Sequence, residues 1–227
     1  MLLHIPDVLT PDELRALHAT LGEAAWRDGR ATAGTQAVHA KNNEQVIPGS
    51  EQAKAAQALV LQALNRHALF FSATLPKKTF PPQFNRYGND TNRYDDHVDG
   101  AVMHSASAGT RVRTDVSCTL FLSEPADYEG GELVINDTFG VQSVKLPAGH
   151  MVIYPSSSVH RVEPVTRGQR MASFFWVESM VRRDDQRRLL FNMDMDLLRL
   201  RAQHGEEPSV VGLTGLYHNL LRMWADT

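Results

Sequence analysis

The sequence predicts a mainly β, α+β fold, in which a double-stranded β-helix (jelly roll) has helices before it and a helix pair after it. Residues from about 80 to 178 form short apolar runs rich in β-branched and aromatic side chains, separated by turn residues. The stretches before about residue 75 and after about residue 180 instead carry apolar residues at helical spacing. Many short strands with small connections are typical of two packed sheets, which the helices would flank.

The 227 residues are enough for one main domain with a small appendage. We expect a domain over residues 1–180 and a helical extension over 181–227. The net charge of −3 gives no indication of a nucleic-acid or membrane partner. Cys118 is the single cysteine, so nothing requires an oxidising compartment. No secretion signal and no membrane-length apolar run is recognisable, which favours a cytoplasmic protein.

Capping signals and apolar stripes predict the helices. Thr10, Pro11 and Glu13 form a helix start with a capping box. A second helix is predicted over residues 50–70, with His67 as a packed or half-exposed helix residue. Two further helices, separated by residues 205–209, are expected to pair and to provide a candidate homodimer contact.

Seven strands are predicted from the period-two pattern and from the glycine and proline turns between them. They cover residues 83–87, 115–123, 132–136, 142–145, 150–154, 160–164 and 170–177.

The sequence contains one His-x-Asp pattern, formed by His97 and Asp99. Residues two apart on a regular strand point to the same side, so both could bind one ion. His160, on another predicted strand, can supply a third ligand. Two imidazoles and one carboxylate on one face of an octahedral Fe(II) leave positions for a 2-oxo acid and O2. His97, Asp99 and His160 are therefore the predicted metal ligands.

Arg170 follows His160 by ten residues and opens the next predicted strand. A 2-oxoglutarate chelated to the iron would bury its far C5 carboxylate, where an unpaired charge is costly. A guanidinium satisfies a carboxylate with two hydrogen bonds, so Arg170 is the predicted anchor. Tyr87 is a second candidate, because its hydroxyl could donate to the same carboxylate; a structural tyrosine is the equal alternative. For Thr119, Phe121 and Trp176, core packing is the preferred interpretation.

The remaining histidines are weaker candidates. His104 lies in residues 101–113, which we interpret as a loop at the pocket mouth, and a solvated side chain is favoured over a substrate contact. His39 precedes the polar residues 40–45, a candidate substrate rim. His150 precedes a strand and is the one histidine that competes with His160 for the metal.

At these residues the chain resembles a known family. Tyr87, the pattern Tyr94-x-x-His97-x-Asp99, Gly130-Gly131-Glu132-Leu133, His160 and Arg170 resemble the prolyl 4-hydroxylase-like branch of the 2-oxoglutarate dioxygenases. The whole chain, with its helical C-terminus, is similar to the bacterial PKHD-type hydroxylases associated with iron uptake. Residues 84–88, 97–100 and 154–160 carry that similarity. Phe121 departs from the pattern, because some prolyl hydroxylases have a second pocket tyrosine there.

The resemblance implies a jelly-roll enzyme that uses Fe(II), 2-oxoglutarate and O2, with ascorbate as a candidate reductant. It implies the same ligands as the residues do: His97, Asp99 and His160 for iron and Arg170 for 2-oxoglutarate. The expected activity is hydroxylation of a peptidyl or free amino acid, or of an iron-chelating small molecule. Two alternatives stay open, a non-catalytic protein that responds to iron or 2-oxoglutarate and a cupin-like metal isomerase or 2-oxoglutarate-independent oxygenase.

Overall fold

A computed structural model describes residues 1–32, 37–105, 109–137 and 140–227. The helices within these residues are α1 (Pro11–Gly22), α2 (Ala37–Ala40), α3 (Glu51–Asn65), α4 (Ala68–Thr74), α5 (Asp184–His204) and α6 (Pro208–Trp224). The strands within them are β1 (Leu3–Ile5), β2 (Trp26–Asp28), β3 (Lys41–Asn42), β4 (Glu44–Val46), β5 (Pro76–Thr79), β6 (Gln83–Tyr87), β7 (Arg93–His97), β8 (Val102–Ser105), β9 (Thr110–Arg113), β10 (Val116–Phe121), β11 (Tyr128–Gly130), β12 (Leu133–Asp137), β13 (Gly140–Val144), β14 (Met151–Pro155), β15 (His160–Val162), β16 (Val165–Gly168) and β17 (Arg170–Ser179).

Two antiparallel sheets form the body of the fold. The major sheet has the order β1-β14-β10-β17-β6-β4-β2, with β5 paired to β17. The minor sheet has the order β13-β12-β15-β7-β3. Two small ladders, β11 with β16 and β8 with β9, complete the pairing in the described residues. The predicted jelly roll with flanking helices is confirmed.

The major sheet separates two apolar cores, and strand alternation assigns each residue to one of them. On β10, Cys118 and Leu120 face a core shared with α1, α3 and α4. Phe121, on the opposite face, belongs to a second core that also contains Tyr87 of β6 and Leu133 of β12. The second core lies between the sheets. Side chains that face it from the major sheet can therefore meet side chains from the minor sheet.

The N-terminal helices follow their capping residues. The capping box is confirmed, since Thr10 Oγ1 accepts from the backbone N–H of Glu13 and the Glu13 carboxylate accepts from the N–H of Thr10. The single helix predicted over residues 50–70 is wrong, because α3 ends at Asn65 and α4 begins at Ala68. His67 caps α4 between them: its Nδ1 accepts from the N–H of Phe70 and its Nε2 lies 3.0 Å from the Pro6 carbonyl oxygen.

The C-terminal helices α5 and α6 pack against α4 and the end of β17. Leu75, Val181, Leu190, Leu197 and Tyr217 form a separate buried cluster there. The start of α5 is joined to the end of the sheet by Arg187, whose buried guanidinium donates to the backbone carbonyls of Val181 and Arg182. These helices are therefore attached to the jelly roll by both apolar and polar contacts.

The seven predicted strands are all found, with ends displaced by up to two residues. The loop predicted over residues 101–113 is wrong. Strands β8 and β9 pair from Val102↔Arg113 to Ser105↔Thr110, and residues 106–108 lie outside the described part of the chain. In that part, no helix is both long and apolar enough to cross a membrane.

Candidate metal and 2-oxoglutarate site

Three predicted ligands from separate places in the sequence meet at one point. One ligand atom each of His97, Asp99 and His160 lies within 4.8 Å of the others. The pairing of β15 with β7 sets His160 directly opposite His97. The Nε2 atom of His160 is 3.8 Å from Oδ2 of Asp99. Two imidazole nitrogens and one carboxylate oxygen at this spacing can bind a single divalent ion.

Backbone carbonyls fix the tautomer of both histidines. Nδ1 of His97 is 2.8 Å from the carbonyl oxygen of Asp95, and Nδ1 of His160 is 3.1 Å from that of Ser158. A carbonyl oxygen can only accept, so Nδ1 carries the proton in each ring. Each Nε2 is left with a lone pair for a metal, which is the usual arrangement around ligating histidines.

Asp99 reaches the site from a loop, although one regular strand was expected to carry both His97 and Asp99. Strand β7 ends at His97, and Asp99 lies two residues beyond it. A hydrogen bond holds its carboxylate, because Ser117 of β10 donates to Oδ2 at 2.6 Å. The hydroxyl of Ser156 lies 2.8 Å from that of Ser117. Ser117 was not predicted, since no local pattern relates a serine to a carboxylate 18 residues earlier.

Burial keeps the His97 imidazole neutral. The side chain is 7% exposed, and its ring stacks on that of Tyr94 with centroids 3.5 Å apart. Burial, followed by repulsion from His160, lowers the pKa of His97 to about 4. A neutral imidazole is the form that binds a metal, so His97 is ready to bind at neutral pH.

Arg170 carries a buried positive charge. It is 1% exposed, and its guanidinium carbon lies 5.0 Å from the centre of the Phe121 ring and 5.4 Å from that of Tyr87. Among the described residues, none accepts a hydrogen bond from Nε or Nη2 of Arg170. Buried polar groups in folded proteins are normally hydrogen-bonded. The guanidinium therefore lacks an acceptor that a carboxylate would supply in two-point contact.

The Tyr87 hydroxyl lies beside Arg170 and has one unused donor. It accepts hydrogen bonds from the side-chain amides of Asn43 at 2.9 Å and Asn85 at 3.2 Å. Those bonds occupy its lone pairs and leave its proton for an acceptor. Burial raises the pKa of Tyr87, so the phenol keeps that proton at neutral pH.

One cavity of about 360 Å³ contains these groups. His97, Asp99, His160, Arg170 and Tyr87 all line it. Thr119 and Trp176, for which core packing was preferred, also line it, whereas Phe121 packs in the inter-sheet core beneath the guanidinium of Arg170.

Part of the polar stretch 40–45 forms one wall of the cavity. Lys41, Asn43 and Gln45 alternate along it and all face the cavity. Strand β3 pairs with β7 of the minor sheet, and β4 pairs with β6 of the major sheet. The stretch therefore crosses from one sheet to the other at the side of the cavity. The sequence showed that it was polar but did not show which of its residues point inward.

The other histidines lie elsewhere. His104 is exposed on β8, and His39 is exposed on α2. His150, the competitor for the metal, contacts His4, with Nδ1 and Nε2 2.9 Å apart. Neither His4 nor His150 belongs to the metal-binding cluster found in the described residues.

The chain matches two family models. The model described as "2OG-Fe(II) oxygenase superfamily" matches residues 82–178, which hold the triad and Arg170. The model described as "PKHD-type hydroxylase C-terminal domain" matches residues 184–226. A PKHD-type hydroxylase from Verminephrobacter eiseniae is 62% identical over 227 residues, and one from Nitrosomonas europaea is 60% identical over 227 residues. Both alignments cover the whole of both chains.

Solved structures share the fold at low sequence identity. A prolyl hydroxylase from Trichoplax adhaerens, solved with a hypoxia inducible factor peptide fragment, has a TM-score of 0.55 and 15% identity, covering 83% of this chain and 86% of its own. A prolyl-4-hydroxylase from Pseudomonas putida has a TM-score of 0.50 and 22% identity, covering 78% of this chain and 92% of its own. At these identities the likeness shows the fold alone.

The residues present fit the cofactors of this superfamily. The donor set of two imidazoles and one carboxylate is the one that Fe(II) oxygenases use, and the acceptor missing at Arg170 suits the far carboxylate of 2-oxoglutarate. The chain belongs to the PKHD-type hydroxylase family and is a dioxygenase that depends on Fe(II) and 2-oxoglutarate.

Proposed function

We propose that the protein hydroxylates a C–H bond of an amino acid, free or in a peptide, or of an iron-chelating small molecule. One O2 would supply one oxygen atom to the substrate and the other to 2-oxoglutarate, which leaves as succinate and CO2. The observation that carries this proposal is the buried guanidinium of Arg170, which lacks acceptors in the same cavity as the His97–Asp99–His160 cluster.

Each of these side chains has a proposed task. His97, Asp99 and His160 hold Fe(II), which when bound supplies the activation of O2. The guanidinium of Arg170 and the hydroxyl of Tyr87 donate hydrogen bonds to the C5 carboxylate of 2-oxoglutarate and fix its position. The apolar part of the wall, including Trp176, excludes water from the reacting groups.

The test is oxygen- and iron-dependent formation of succinate from 2-oxoglutarate, first without substrate and then with a panel of amino acids, peptides and iron chelators. Asp99→Ala and His160→Ala should each lose bound iron and turnover. His150→Ala is the matched control, because that histidine contacts His4 outside the site and should leave both unchanged. Turnover that survives both site substitutions would refute the proposal.

The non-catalytic alternative predicts a different result in the same assay. Such a protein would bind iron and 2-oxoglutarate but form no succinate with any member of the panel. A cytoplasmic location and ascorbate as a reductant stay predictions.

We also propose that α5 and α6 join two copies of the chain. Large apolar side chains are exposed on these helices, among them Leu189, Leu213 and Leu216, and exposed apolar patches are typical of contact surfaces. Light scattering should then find a dimer that the double substitution Leu189→Glu/Leu216→Glu dissociates. A native protein that is monomeric even at high protein concentration would contradict this proposal.

A further inference from the structure

Tyr128 of β11 carries a buried hydroxyl that packing does not explain. The residue is 2% exposed, and its hydroxyl oxygen has no hydrogen-bond partner among the described residues. Its ring is well held, because it packs in the core between the sheets and the ammonium nitrogen of Lys145 lies 4.1 Å from the ring centre. A buried tyrosine usually finds a partner for its hydroxyl. The unpaired hydroxyl therefore indicates a missing acceptor.

Strand pairing sets Tyr128 beside Arg170. Strand β11 pairs with β16 so that Tyr128 lies opposite Gly168, just before β17 begins at Arg170. The two side chains meet at Gly131, where an added Cβ atom would lie 3.0 Å from Cε2 of Tyr128 and 3.1 Å from Cδ of Arg170. Burial raises the pKa of Tyr128, and the positive charge of Arg170 opposes the shift. The phenol and the guanidinium are therefore neighbours.

Both neighbours need the same kind of partner. Among the described residues, none accepts from Nε or Nη2 of Arg170 or pairs with the Tyr128 hydroxyl. A guanidinium has donors only, so Arg170 cannot take the proton of the phenol. Glu132 also acts on Tyr128, but its carboxylate lies 3.9 Å from the ammonium of Lys145. A further carboxylate, with two oxygens and about four lone pairs, could accept from both Arg170 and Tyr128.

We propose that Tyr128 is a third donor to the C5 carboxylate of 2-oxoglutarate, beside Arg170 and Tyr87. This inference rests on the proposed function, because it requires that carboxylate to lie at Arg170. Phe121, 5.0 Å from the guanidinium carbon, stands where some prolyl hydroxylases have a second pocket tyrosine and has no hydroxyl to offer. Tyr128 supplies this hydroxyl from a different strand. The co-substrate is then selected by its far carboxylate through three side chains.

The experiment compares 2-oxoglutarate with 2-oxopentanoate, which has a methyl group in place of the C5 carboxylate. Calorimetric titration of the Zn(II)-substituted protein gives the Kd of each. Tyr128→Phe removes the hydroxyl and keeps the ring, so it should weaken 2-oxoglutarate binding about tenfold, as expected for the loss of one charge-assisted hydrogen bond. The affinity for 2-oxopentanoate should stay the same. Equal losses for the two ligands, or no loss for either, overturn the inference.

Tyr217→Phe is the matched control. Tyr217 is also a buried tyrosine, 9% exposed, but it belongs to the separate cluster that α5 and α6 form with Leu75. This variant should keep both affinities. If Tyr217→Phe weakens 2-oxoglutarate binding as much as Tyr128→Phe does, the effect is a general one of removing a buried hydroxyl, and the inference fails.

A double substitution separates direct contact from an effect passed on through Arg170. This separation matters because Tyr128 is not among the residues that line the cavity. In an Arg170→Met background, Tyr128→Phe should still weaken 2-oxoglutarate binding. If it weakens binding only when Arg170 is present, Tyr128 merely positions the guanidinium, and donation to the carboxylate is overturned.

Failure of the underlying function gives a different result. If the native protein does not bind Zn(II) and 2-oxoglutarate, the proposed site itself is refuted before any variant is made. If it binds both and Tyr128→Phe binds 2-oxoglutarate as the native protein does, only the inference about Tyr128 fails.

Discussion

Arg170 indicates a carboxylate ligand, because its buried guanidinium has two nitrogens without an acceptor among the described residues. The buried guanidinium lies near the rings of Phe121 and Tyr87, and its Nε and Nη2 have no acceptor among the described residues, so these contacts replace only part of the hydration it has lost. Its environment is therefore unfavourable until a carboxylate arrives. This predicts opposite effects of one substitution on stability and on binding.

Arg170→Met should weaken 2-oxoglutarate binding by about 10- to 150-fold, the equivalent of losing about 1.5–3 kcal/mol of charged hydrogen bonding. The same substitution should raise the free energy of unfolding of the ligand-free protein, since it removes an uncompensated buried charge. Calorimetric titration and urea unfolding measure the two effects. A variant that is less stable and binds 2-oxoglutarate normally would show that Arg170 is structural.

Ser117 is expected to act through Asp99. Removing the hydrogen bond at 2.6 Å frees the carboxylate to rotate, so Ser117→Ala should lower metal affinity by about 10- to 100-fold. Metal titration followed by spectroscopy or calorimetry gives the affinity. Ser123→Ala is the control, because Ser123 accepts from the backbone N–H of Met171 outside the metal site. Equal effects in the two variants would contradict a positioning role for Ser117.

The sequence allowed the proposed iron ligands and Arg170 to be singled out, but not the side chains that contact them. The residue types of His97, Asp99, His160 and Arg170 and their spacing can be read from the linear sequence. The folded chain brings Ser117 to Asp99 and Lys41 to Tyr94, contacts that the linear sequence does not reveal. A serine or a lysine alone carries no such signal.

The secondary-structure elements differ in how much they depend on distant contacts. Strand β6 was predicted with its observed ends, because Pro81 and Pro82 precede it and Gly88 follows it. Strands β1–β4 were not predicted, since each has three residues or fewer and is defined by its partner rather than by its own sequence. The break between α3 and α4 was missed because His67, an unusual capping residue, lies within a continuous apolar pattern.

Helix α5 offers a direct test of packing against exposure. Leu197 is 2% exposed in the cluster with Leu75 and Tyr217, whereas its neighbour Leu198 is 51% exposed. Leu197→Ala should therefore reduce the free energy of unfolding by about 2–5 kcal/mol. Leu198→Ala should change it by less than about 0.5 kcal/mol. Urea denaturation of both variants shows whether α5 unfolds together with the jelly roll. If both substitutions reduce the free energy of unfolding by a similarly small amount, α5 does not unfold with it.

At the scale of the whole molecule, the two-sheet architecture could be predicted because many short segments show the composition and the period-two pattern of strands. The extra wall at residues 41–45 does not follow, because it depends on where a short segment crosses between sheets. The division into residues 1–180 and 181–227 stays a prediction. The burial of α5 and α6 against Leu75 and Val181 shows that the two parts share a core.

Global stability should depend on pH through Lys41. Burial lowers the pKa of its ammonium from 10.5 to about 8, although Asp99 and Asp28 oppose the shift. The titratable group on β7 that interacts with Lys41 is His97. Between pH 8 and 10.5 the folded protein binds fewer protons than the unfolded chain. The free energy of unfolding of the metal-free protein should therefore rise with pH in this window, by roughly 3 kcal/mol at most.

Lys41→Met should lack this rise. The variant should be more stable than the native protein at pH 7.5, and the difference should shrink as the pH approaches 10.5. Urea unfolding of both proteins across this range measures the difference, in which other titrating groups cancel. A difference that stays constant with pH would contradict the burial of a charged ammonium at this position.

The stretch that carries Lys41, Asn43 and Gln45 precedes the residues that the oxygenase superfamily model matches. One wall of the cavity is therefore encoded outside the segment that holds the triad and Arg170. Asn43 also donates to Tyr87, which leaves Lys41 and Gln45 as the positions where the shape and polarity of this wall can change while the triad and Arg170 stay the same.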